Sequence, residues 1–379
     1  MKKFLLGASL MAATLCAAGP AMAMTADQHP YPWDNSVYEN ARFGVTTEKL
    51  ADDIYVMRRI PSWRTMVQAN VTVIVNEHDV IVVDGGTPAY VDNVIKEIRK
   101  ITDKPVSAVI TTHWHGDHNR GNHLYREAWP GVQFISHEKT YVNMLHRDAE
   151  MGPYDDERKA RTIKSVSEQI EKEKAEGKHP SVVKTSEDLI AGIDEIYDTL
   201  RRQKSGIADI TFKDRIALKR GKRTIELLFL GKANTDGDAI IWLPEEKIVI
   251  TGDVVVRPTP YGFYSYPREW AGTLDNIKAL GFKTLVPGHG RVMHDSRYVD
   301  TLAAMFRDIT AQAKAAVEGG ADSAEAVQAA IDFSKHEQAI AGDDPLFRDL
   351  FNVWFKTPIS VSAYKDAKGL PIPQYEEEH

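Results

Sequence analysis

The chain has 379 residues, of which 43% are hydrophobic and 27% charged, and its formal net charge is −7. This composition argues against a wholly disordered chain and suits one large or two small globular domains. The negative charge disfavours nucleic acid as a partner, because phosphate binding needs Lys and Arg clustered on one face.

The first 23 residues have the pattern of a signal peptide. Two lysines are followed by an apolar stretch from Phe4 to about Gly19 and by the segment Ala-Met-Ala that ends at Ala23. The apolar stretch is short for a bilayer span of about 20 residues. We therefore predict cleavage near Ala23 and a periplasmic or secreted protein without a stable membrane anchor.

The only cysteine, Cys16, lies within this segment. A lipoprotein signal would have a small residue before that cysteine, and Leu15 stands there instead. The mature chain then has no disulfide, no thiolate nucleophile and no cysteine metal ligand. Its chemistry must use nitrogen and oxygen atoms.

The next part of the chain alternates short strands with one helix. A polar lead is expected at 24–48, before β-branched strands predicted at 54–58, 71–76 and 80–84. A helix from Pro88 to about Lys100 and a strand at 106–111 follow. Open α/β sheets bind ligands at the C-terminal ends of their strands, so we expect a site just after residue 111.

The second half repeats this β-rich character after a helical insertion. A strand is predicted at 132–136. The insertion follows from about 137 to 206, where the chain is highly charged, and amphipathic helices are predicted near 157–175 and 185–204. The insertion is either a pair of surface helices or a substrate lid or dimer contact. Strands are then predicted at 209–212, 215–219, 223–230, 238–243, 247–251 and 283–286, with helices at 269–281, 297–318, 324–335 and 344–355 before an irregular tail.

The segment from His113 to His118 contains three histidines and one aspartate in six positions. In an extended strand end, residues i and i+2 face the same side, so His113 and His115 can present two imidazoles to one ion. Gly116 lets the backbone turn, which directs Asp117 and His118 towards a second ion about 3.5–4 Å away. The pattern predicts a metal site.

This segment resembles the signature of the metallo-β-lactamase fold superfamily of metallohydrolases. Three further motifs of that family occur in the same order: one before this segment, at 82–86, and two after it, at 251–253 and 287–290. The resemblance covers about 50–295. It implies an α/β fold, a four-layer αββα sandwich over 49–295 that holds the insertion. Residues 296–379 would then form a helical C-terminal extension and tail.

The resemblance also implies a zinc centre of one or two ions, although nitrogen and oxygen ligands suit other divalent metals too. Asp253 would bridge the two ions. Site one would hold His113 and His115, and site two would hold Asp117, His118 and His289.

One position departs from the family pattern, which has a histidine where this chain has Asn234. An amide oxygen is a poorer zinc donor than imidazole. Asn234 either completes a weakened site one or only forms a hydrogen bond within its loop. In both cases site two should fill first.

Three further residues are candidates around the metals. Asp84 follows a strand and can bond local N–H groups, orient a metal-bound imidazole, or do both. Tyr261 and Tyr264 lie in an aromatic loop after Asp253 that either lines a substrate pocket or is a packed structural loop.

The implied chemistry is hydrolysis by a metal-bound hydroxide, with Asp117 as the catalytic residue that orients the attacking water. We predict a zinc-dependent hydrolase whose partner is a small-molecule substrate, an ester, lactone, thioester or amide. One alternative is a periplasmic β-lactamase, although such enzymes of this superfamily usually carry cysteine or serine where this chain has Asp253. The other is a non-catalytic metal-binding or scaffold protein. The sequence does not predict the oligomeric state.

Overall fold

The computed structural model describes residues 42–59, 67–149 and 152–374. The predicted signal peptide at 1–23 lies outside these residues, as does most of the predicted lead. Two β-sheets lie face to face between two layers of helices, so the predicted αββα sandwich is confirmed. In the described ranges, no helix combines the length and apolar character needed to cross a bilayer.

The first sheet has seven strands that lie in chain order. The first four pair antiparallel, and the later ones add in parallel. Its strands are β1 (Thr46–Ala51), β2 (Ile54–Arg58), β3 (Val71–Val75), β4 (Val80–Val83), β5 (Val106–Thr111), β6 (Gln133–His137) and β7 (Ile210–Phe212).

Strand β1 corrects the expectation of a surface lead at 24–48, because its first residues fall within that range. It pairs with β2 at the edge of the sheet, where Thr47 lies opposite Met57. The strand is largely exposed, and its sequence Thr-Thr-Glu-Lys-Leu-Ala lacks the apolar alternation by which buried strands are recognised.

The second sheet has five strands, in the order β12, β11, β10, β9, β8. All neighbours are antiparallel except β11 and β12, which are parallel. Its strands are β8 (Arg215–Arg220), β9 (Arg223–Phe229), β10 (Ala239–Leu243), β11 (Ile248–Ile250) and β12 (Thr284–Val286).

The core follows the period of two expected for strands. In β4, Ile81 and Val83 pack between the sheets, whereas Val80 and Val82 pack under helix α1 (Pro88–Ile101). Two short helices, α2 (Gly116–Asn119) and α3 (Asn122–Ala128), follow β5. They were not predicted, because together they span only a few turns around a glycine-containing loop.

The insertion is helical as predicted, with one difference. It consists of α4 (Glu138–Ala149), α5 (Asp156–Ala175), α6 (Pro180–Ala191) and α7 (Ile193–Arg201). The single helix predicted at 185–204 is two helices that meet at Gly192, where any side chain would collide with Arg42.

The outer face of the second sheet is covered by α8 (Pro267–Ala279) and by the C-terminal extension, where Trp270 stacks on Phe306 at 4.2 Å. The extension contains α9 (Arg297–Glu318), α10 (Ala324–Ala330), α11 (Ser334–Ala341), α12 (Pro345–Leu350), a π-helical turn (Phe351–Lys356) and α13 (Thr357–Lys368). The helix predicted at 324–335 is interrupted because Ile331 and Phe333 turn into the core. The helix predicted at 344–355 continues to Lys368.

The strand ends bring the motif loops to one place. Strands β4 and β5 are parallel neighbours, so the loops that follow them meet. The loops after β11 and β12 meet for the same reason, and Gly288 N donates to Gly252 O at 2.9 Å. Ala239 N donates to Thr112 O at 2.8 Å and joins the two sheets at this edge.

Candidate metal centre

Asp253 lies in the middle of a cluster of four histidines. Its Oδ2 atom is 3.4 Å from His113 Nε2 and 3.6 Å from His115 Nδ1. Its Oδ1 atom is 3.3 Å from Nε2 of both His118 and His289. The carboxylate therefore has two imidazoles on each side, which is the arrangement that a ligand shared by two ions requires.

Asp117 lies on the second of these sides. Its Oδ2 atom is 3.2 Å from His289 Nε2 and 3.6 Å from His118 Nε2. These three residues form one group able to hold an ion, and His113, His118 and Asp253 form another. These two groups contain five of the seven predicted ligands, and a sixth, His115, lies beside them through its contact with Asp253.

The imidazoles of His118 and His289 are oriented by their other nitrogens. His118 Nδ1 lies 2.8 Å from Asp84 Oδ2, and His289 Nδ1 lies 2.8 Å from the carbonyl oxygen of Gln68. Both partners only accept, so both Nδ1 atoms carry a proton, and in the neutral form of each ring the lone pair is on Nε2. These Nε2 atoms are 3.2 Å apart, a distance at which two lone pairs repel unless a proton or a metal ion lies between them.

Several buried polar atoms of the cluster have no hydrogen-bond partner within the described part of the chain. They are His113 Nε2, Asp117 Oδ2 and both carboxylate oxygens of Asp253. A buried polar atom without a partner costs about 1–3 kcal/mol, and several at one place call for a ligand. Nitrogen and carboxylate donors of this kind suit zinc, so the residues fit the ion that the resemblance implies.

The charges of the cluster favour a cation at the same place. Burial lowers the pKa of His289, but the carboxylates of Asp253 and Asp117 raise it overall to about 9. Burial raises the pKa of Asp253, yet His289 and His118 hold it well below its usual range. Burial and His118 lower the pKa of His113 to about 4, so this imidazole is neutral and its Nε2 is available to a metal.

Asn234 is fully buried, and its amide has a defined orientation. Its Nδ2 atom donates to the carbonyl oxygen of Tyr261 at 2.8 Å, which turns Oδ1 away from that loop. The residue forms the loop hydrogen bond considered from the sequence and also has an unsatisfied oxygen. Both predicted roles therefore remain compatible with its position.

Asp84 makes the contacts that both of its predicted roles need. Oδ1 accepts from Thr112 N at 2.8 Å, while Oδ2 accepts from Thr112 Oγ1 at 2.9 Å and lies beside His118 Nδ1. Its φ of 60° is in the left-handed region, which aspartate tolerates better than most residues. One carboxylate thus holds both the backbone of the histidine motif and one of its rings.

The two tyrosines of the aromatic loop have different environments. The ring of Tyr261 lies edge-on to that of His289, with centroids 5.4 Å apart, and its hydroxyl is buried. Burial, followed by the charges of Asp253 and Asp117, raises the pKa of Tyr261 well above its ordinary value. Tyr264 is exposed and lies under the guanidinium of Arg147, 4.9 Å from its ring centroid.

Two residues that position His289 were not found from the sequence. Gln68 acts through its backbone carbonyl, for which no side chain gives a signal. Asn70 Nδ2 donates to the carbonyl oxygens of Pro287 and Gly290 at 2.8 and 3.0 Å. The sequence signal that could have identified Asn70 is an asparagine directly before a buried strand.

Gly288 has no room for a side chain, because a Cβ there would lie 2.0 Å from Asp253 Oδ1.

Comparison with known proteins identifies a family. The family model of the metallo-β-lactamase superfamily matches residues 64–289. The chain is 23% identical over 230 residues to a linear primary-alkylsulfatase of Pseudomonas sp. (strain ATCC 19151), which covers 58% of this chain and 40% of the relative. It is 31% identical over 81 residues to a metallo-β-lactamase type 2 of Bacillus cereus, which covers 20% of this chain and 32% of the relative.

The chain thus spans less than half the length of either curated relative. Among solved structures, a metallo-β-lactamase from Pontibacter korlensis superimposes with a TM-score of 0.48 and 15% identity, over 70% of this chain and all of the other. The matched range contains every predicted ligand and ends at the last of them, His289.

Proposed function

The chain belongs to the metallo-β-lactamase superfamily, and from that premise we propose that it is a metal-dependent hydrolase of a small ester, lactone, thioester or amide. Proteins of this superfamily are generally hydrolytic and metal-dependent. The observation that supports the proposal best is the set of buried, unpartnered nitrogen and oxygen atoms around Asp253.

The donors differ between the two sides of Asp253. His118, His289 and Asp117 would hold an ion with nitrogen and carboxylate ligands, and the two rings are already oriented by Asp84 and Gln68. His113 and His115 would hold a second ion with Asn234 in the place of a histidine. Imidazole is a better zinc donor than an amide oxygen, so site two (Asp117, His118 and His289) should bind zinc more tightly than site one.

The approach for substrate follows from which ligands are open to solvent. The side chains of His113, His118, His289 and Asp253 are fully buried, whereas those of His115 and Asp117 are 16% and 20% exposed. Substrate and water must therefore arrive from the side of His115 and Asp117. These residues would hold a zinc ion, which would polarise the bond to be broken and make a water molecule a better nucleophile at neutral pH. The carboxylate of Asp117, next to the opening, would orient that water.

Two other substrates belong in the test. The similarity to a linear primary-alkylsulfatase favours a sulfate ester as the second candidate. A β-lactam is the third candidate, because the chain has a short match to a metallo-β-lactamase of Bacillus cereus. Asp253 stands where β-lactamases of this superfamily usually carry cysteine or serine, which makes the β-lactam the less favoured of the two.

The experiment is a substrate panel on protein purified without chelators and analysed for metal content. The panel contains an aryl ester, a lactone, a thioester, an aryl amide, an alkyl sulfate and a chromogenic cephalosporin. We expect turnover of an acyl substrate that is lost with a chelator and restored by zinc. Asp117→Ala should abolish it without unfolding the protein, whereas the exposed Asp52→Ala should not change it.

The outcomes separate the candidates. Zinc binding without turnover of any compound would favour the non-catalytic scaffold. Full activity in Asp117→Ala would refute the assigned mechanism, and turnover of the alkyl sulfate alone would change the substrate class.

We also propose that the protein is exported and acts on a small molecule outside the cytoplasm, without a nucleic acid partner. The support is the pattern of residues 1–23 and the negative net charge. N-terminal sequencing of protein from the periplasmic fraction should give a first residue near Met24. Recovery of the uncleaved chain from the cytoplasm would contradict export.

A further inference from the structure

The hydroxyl of Tyr261 is a buried polar group near the metal centre that is not one of the predicted metal ligands. The residue is 8% exposed, and its hydroxyl oxygen has no hydrogen-bond partner within the described residues. Buried tyrosine hydroxyls usually have a partner. The missing partner is therefore expected to be something that enters the site.

The surroundings of this hydroxyl are those of the metal centre. The Tyr261 ring contacts His289 edge-on, and its backbone carbonyl holds Asn234. The nearby charges are the carboxylates of Asp253 and Asp117. A phenol is protonated at neutral pH, with an ordinary pKa of about 10, so the hydroxyl is available as a donor.

The C-terminal extension fixes the position of this side chain. The ring of Trp354 lies edge-on to Tyr261, with centroids 5.3 Å apart, and Gly262 N donates to Trp354 O at 2.8 Å. A side chain at Gly262 would not fit, because its Cβ would lie 2.7 Å from Ile359 N. The loop is therefore pressed directly on the extension, which leaves Tyr261 little freedom to move.

We propose that the Tyr261 hydroxyl donates a hydrogen bond to the substrate oxygen that gains negative charge during hydrolysis. This inference rests on the proposed function, since it assigns a catalytic residue to the same site. A fixed donor directed at a developing charge acts without reorganisation at the moment of reaction, which is why such donors have large effects on rate.

The chemistry balances without proton transfer by the tyrosine. The oxygen of water forms a bond to the acyl carbon, and the π electron pair of the carbonyl moves onto the carbonyl oxygen, where the Tyr261 O–H donates. The pair then returns to re-form the carbonyl as the bond to the leaving group breaks. The proton released by water ends on the leaving group or in solvent, and the tyrosine keeps its own proton throughout.

The test compares Tyr261→Phe with Tyr364→Phe, a matched loss of one hydroxyl. Tyr364 lies on α13, where its hydroxyl donates to Asp322 O at 2.6 Å within the extension. For Tyr261→Phe we expect kcat/KM on the best acyl substrate to fall about 100- to 1,000-fold, the effect of removing one such donor. Tyr364→Phe should match the wild type, and the zinc content of both variants should be unchanged.

A second readout does not depend on turnover. Inorganic phosphate, a tetrahedral oxyanion, is titrated calorimetrically into each zinc-loaded protein after excess metal is removed. Loss of a hydrogen bond to a charged group should weaken phosphate binding about 10- to 100-fold in Tyr261→Phe and not in Tyr364→Phe.

The outcomes distinguish this inference from the proposed function. If the wild type hydrolyses nothing, the proposed function fails, and equal phosphate affinity in Tyr261→Phe would overturn the donor role as well. If the wild type is active and Tyr261→Phe is equally active, only the inference fails. Loss of zinc from Tyr261→Phe would overturn it in favour of a role in building the metal centre.

Discussion

The indole Nε1 of Trp114 donates a hydrogen bond to Oε1 of Gln374 at 3.1 Å, which joins the histidine motif to the far end of the chain. Gln374 is 4% exposed, and its Nε2 donates to Tyr264 O at 2.7 Å. Its own carbonyl accepts from Arg147 Nε at 2.9 Å. The tail thus connects three segments beside the predicted ligand His115, against whose ring Trp114 packs at 4.4 Å.

Gln374→Ala should loosen this part of the metal centre. The substitution leaves the buried indole N–H of Trp114 without its acceptor, which costs about 1–3 kcal/mol. We expect faster amide hydrogen exchange in peptides that cover 111–122 and 258–266, together with a lower free energy of unfolding in urea. Gln338→Ala is the control, because the Gln338 side chain bonds Arg348 and Asp343 within the extension. Unchanged exchange at 111–122 in Gln374→Ala would show that the tail does not support the motif.

Asp84→Asn should weaken zinc binding about 10- to 100-fold, the usual effect of losing a group that orients a ligand. Asparagine tolerates the positive φ at this position, so the backbone is retained. It has only one acceptor oxygen, however, and with that oxygen on Thr112 N its NH₂ group, which only donates, faces His118 Nδ1. His118 would then be driven to the tautomer with its proton on Nε2, the atom that faces Asp253.

Competition with a chromogenic chelator measures the affinity. Asp79→Asn is the matched control, because this carboxylate accepts from Ser107, Asn76 and Arg220 at the opposite end of β4 from Asp84. Equal affinities in wild type and Asp84→Asn would contradict the role given to Asp84.

The sequence predicts what is contiguous or periodic, and it misses contacts made between distant segments. The β-branched runs predicted the buried strands, and six adjacent positions from His113 to His118 predicted a metal site because strand and turn geometry are local. Gln374 has no such signal, since its partner Trp114 is 260 positions away. Gln68 acts through a carbonyl group that every residue has. Tyr261 was a candidate by its loop, but only the structure distinguishes it from the exposed Tyr264.

His137 predicts a pH dependence of stability that is separate from the metal centre. It is buried and stacked on Phe229, its Nε2 lies 2.8 Å from Lys213 O, and its Nδ1 accepts from Lys139 N. These contacts need the neutral ring, and burial lowers the pKa of His137 below its ordinary 6.5. Below pH 6.5, His137 therefore binds a proton in the unfolded chain but stays neutral in the folded protein. The free energy of unfolding falls as the pH falls.

Replacing the ring isolates this contribution. His137→Asn removes the titration, so the wild type should be the more stable protein at pH 7.5 by about 1 kcal/mol. That advantage should shrink below pH 6.5, at a rate of at most about 1.36 kcal/mol per pH unit. Urea unfolding of both proteins at several pH values measures the difference in stability. The titration of the metal ligands affects both proteins equally, so its contribution cancels in this difference. A difference that stays constant from pH 7.5 to 5 would mean that folding does not lower the pKa of His137.

Asn234→His should equalise the two metal sites. In the wild type, zinc titration is expected to give one tight equivalent, at His118, His289 and Asp117, and a weaker one beside His113 and His115. Histidine supplies the imidazole that site one lacks, so the second equivalent should bind more tightly. Asn234→Ala is the control: it also removes the bond to Tyr261 O but adds no ligand, so it should bind the second ion no better than the wild type. Identical titrations for Asn234→His and Asn234→Ala would mean that position 234 lies outside the coordination shell and that the amide only holds its loop.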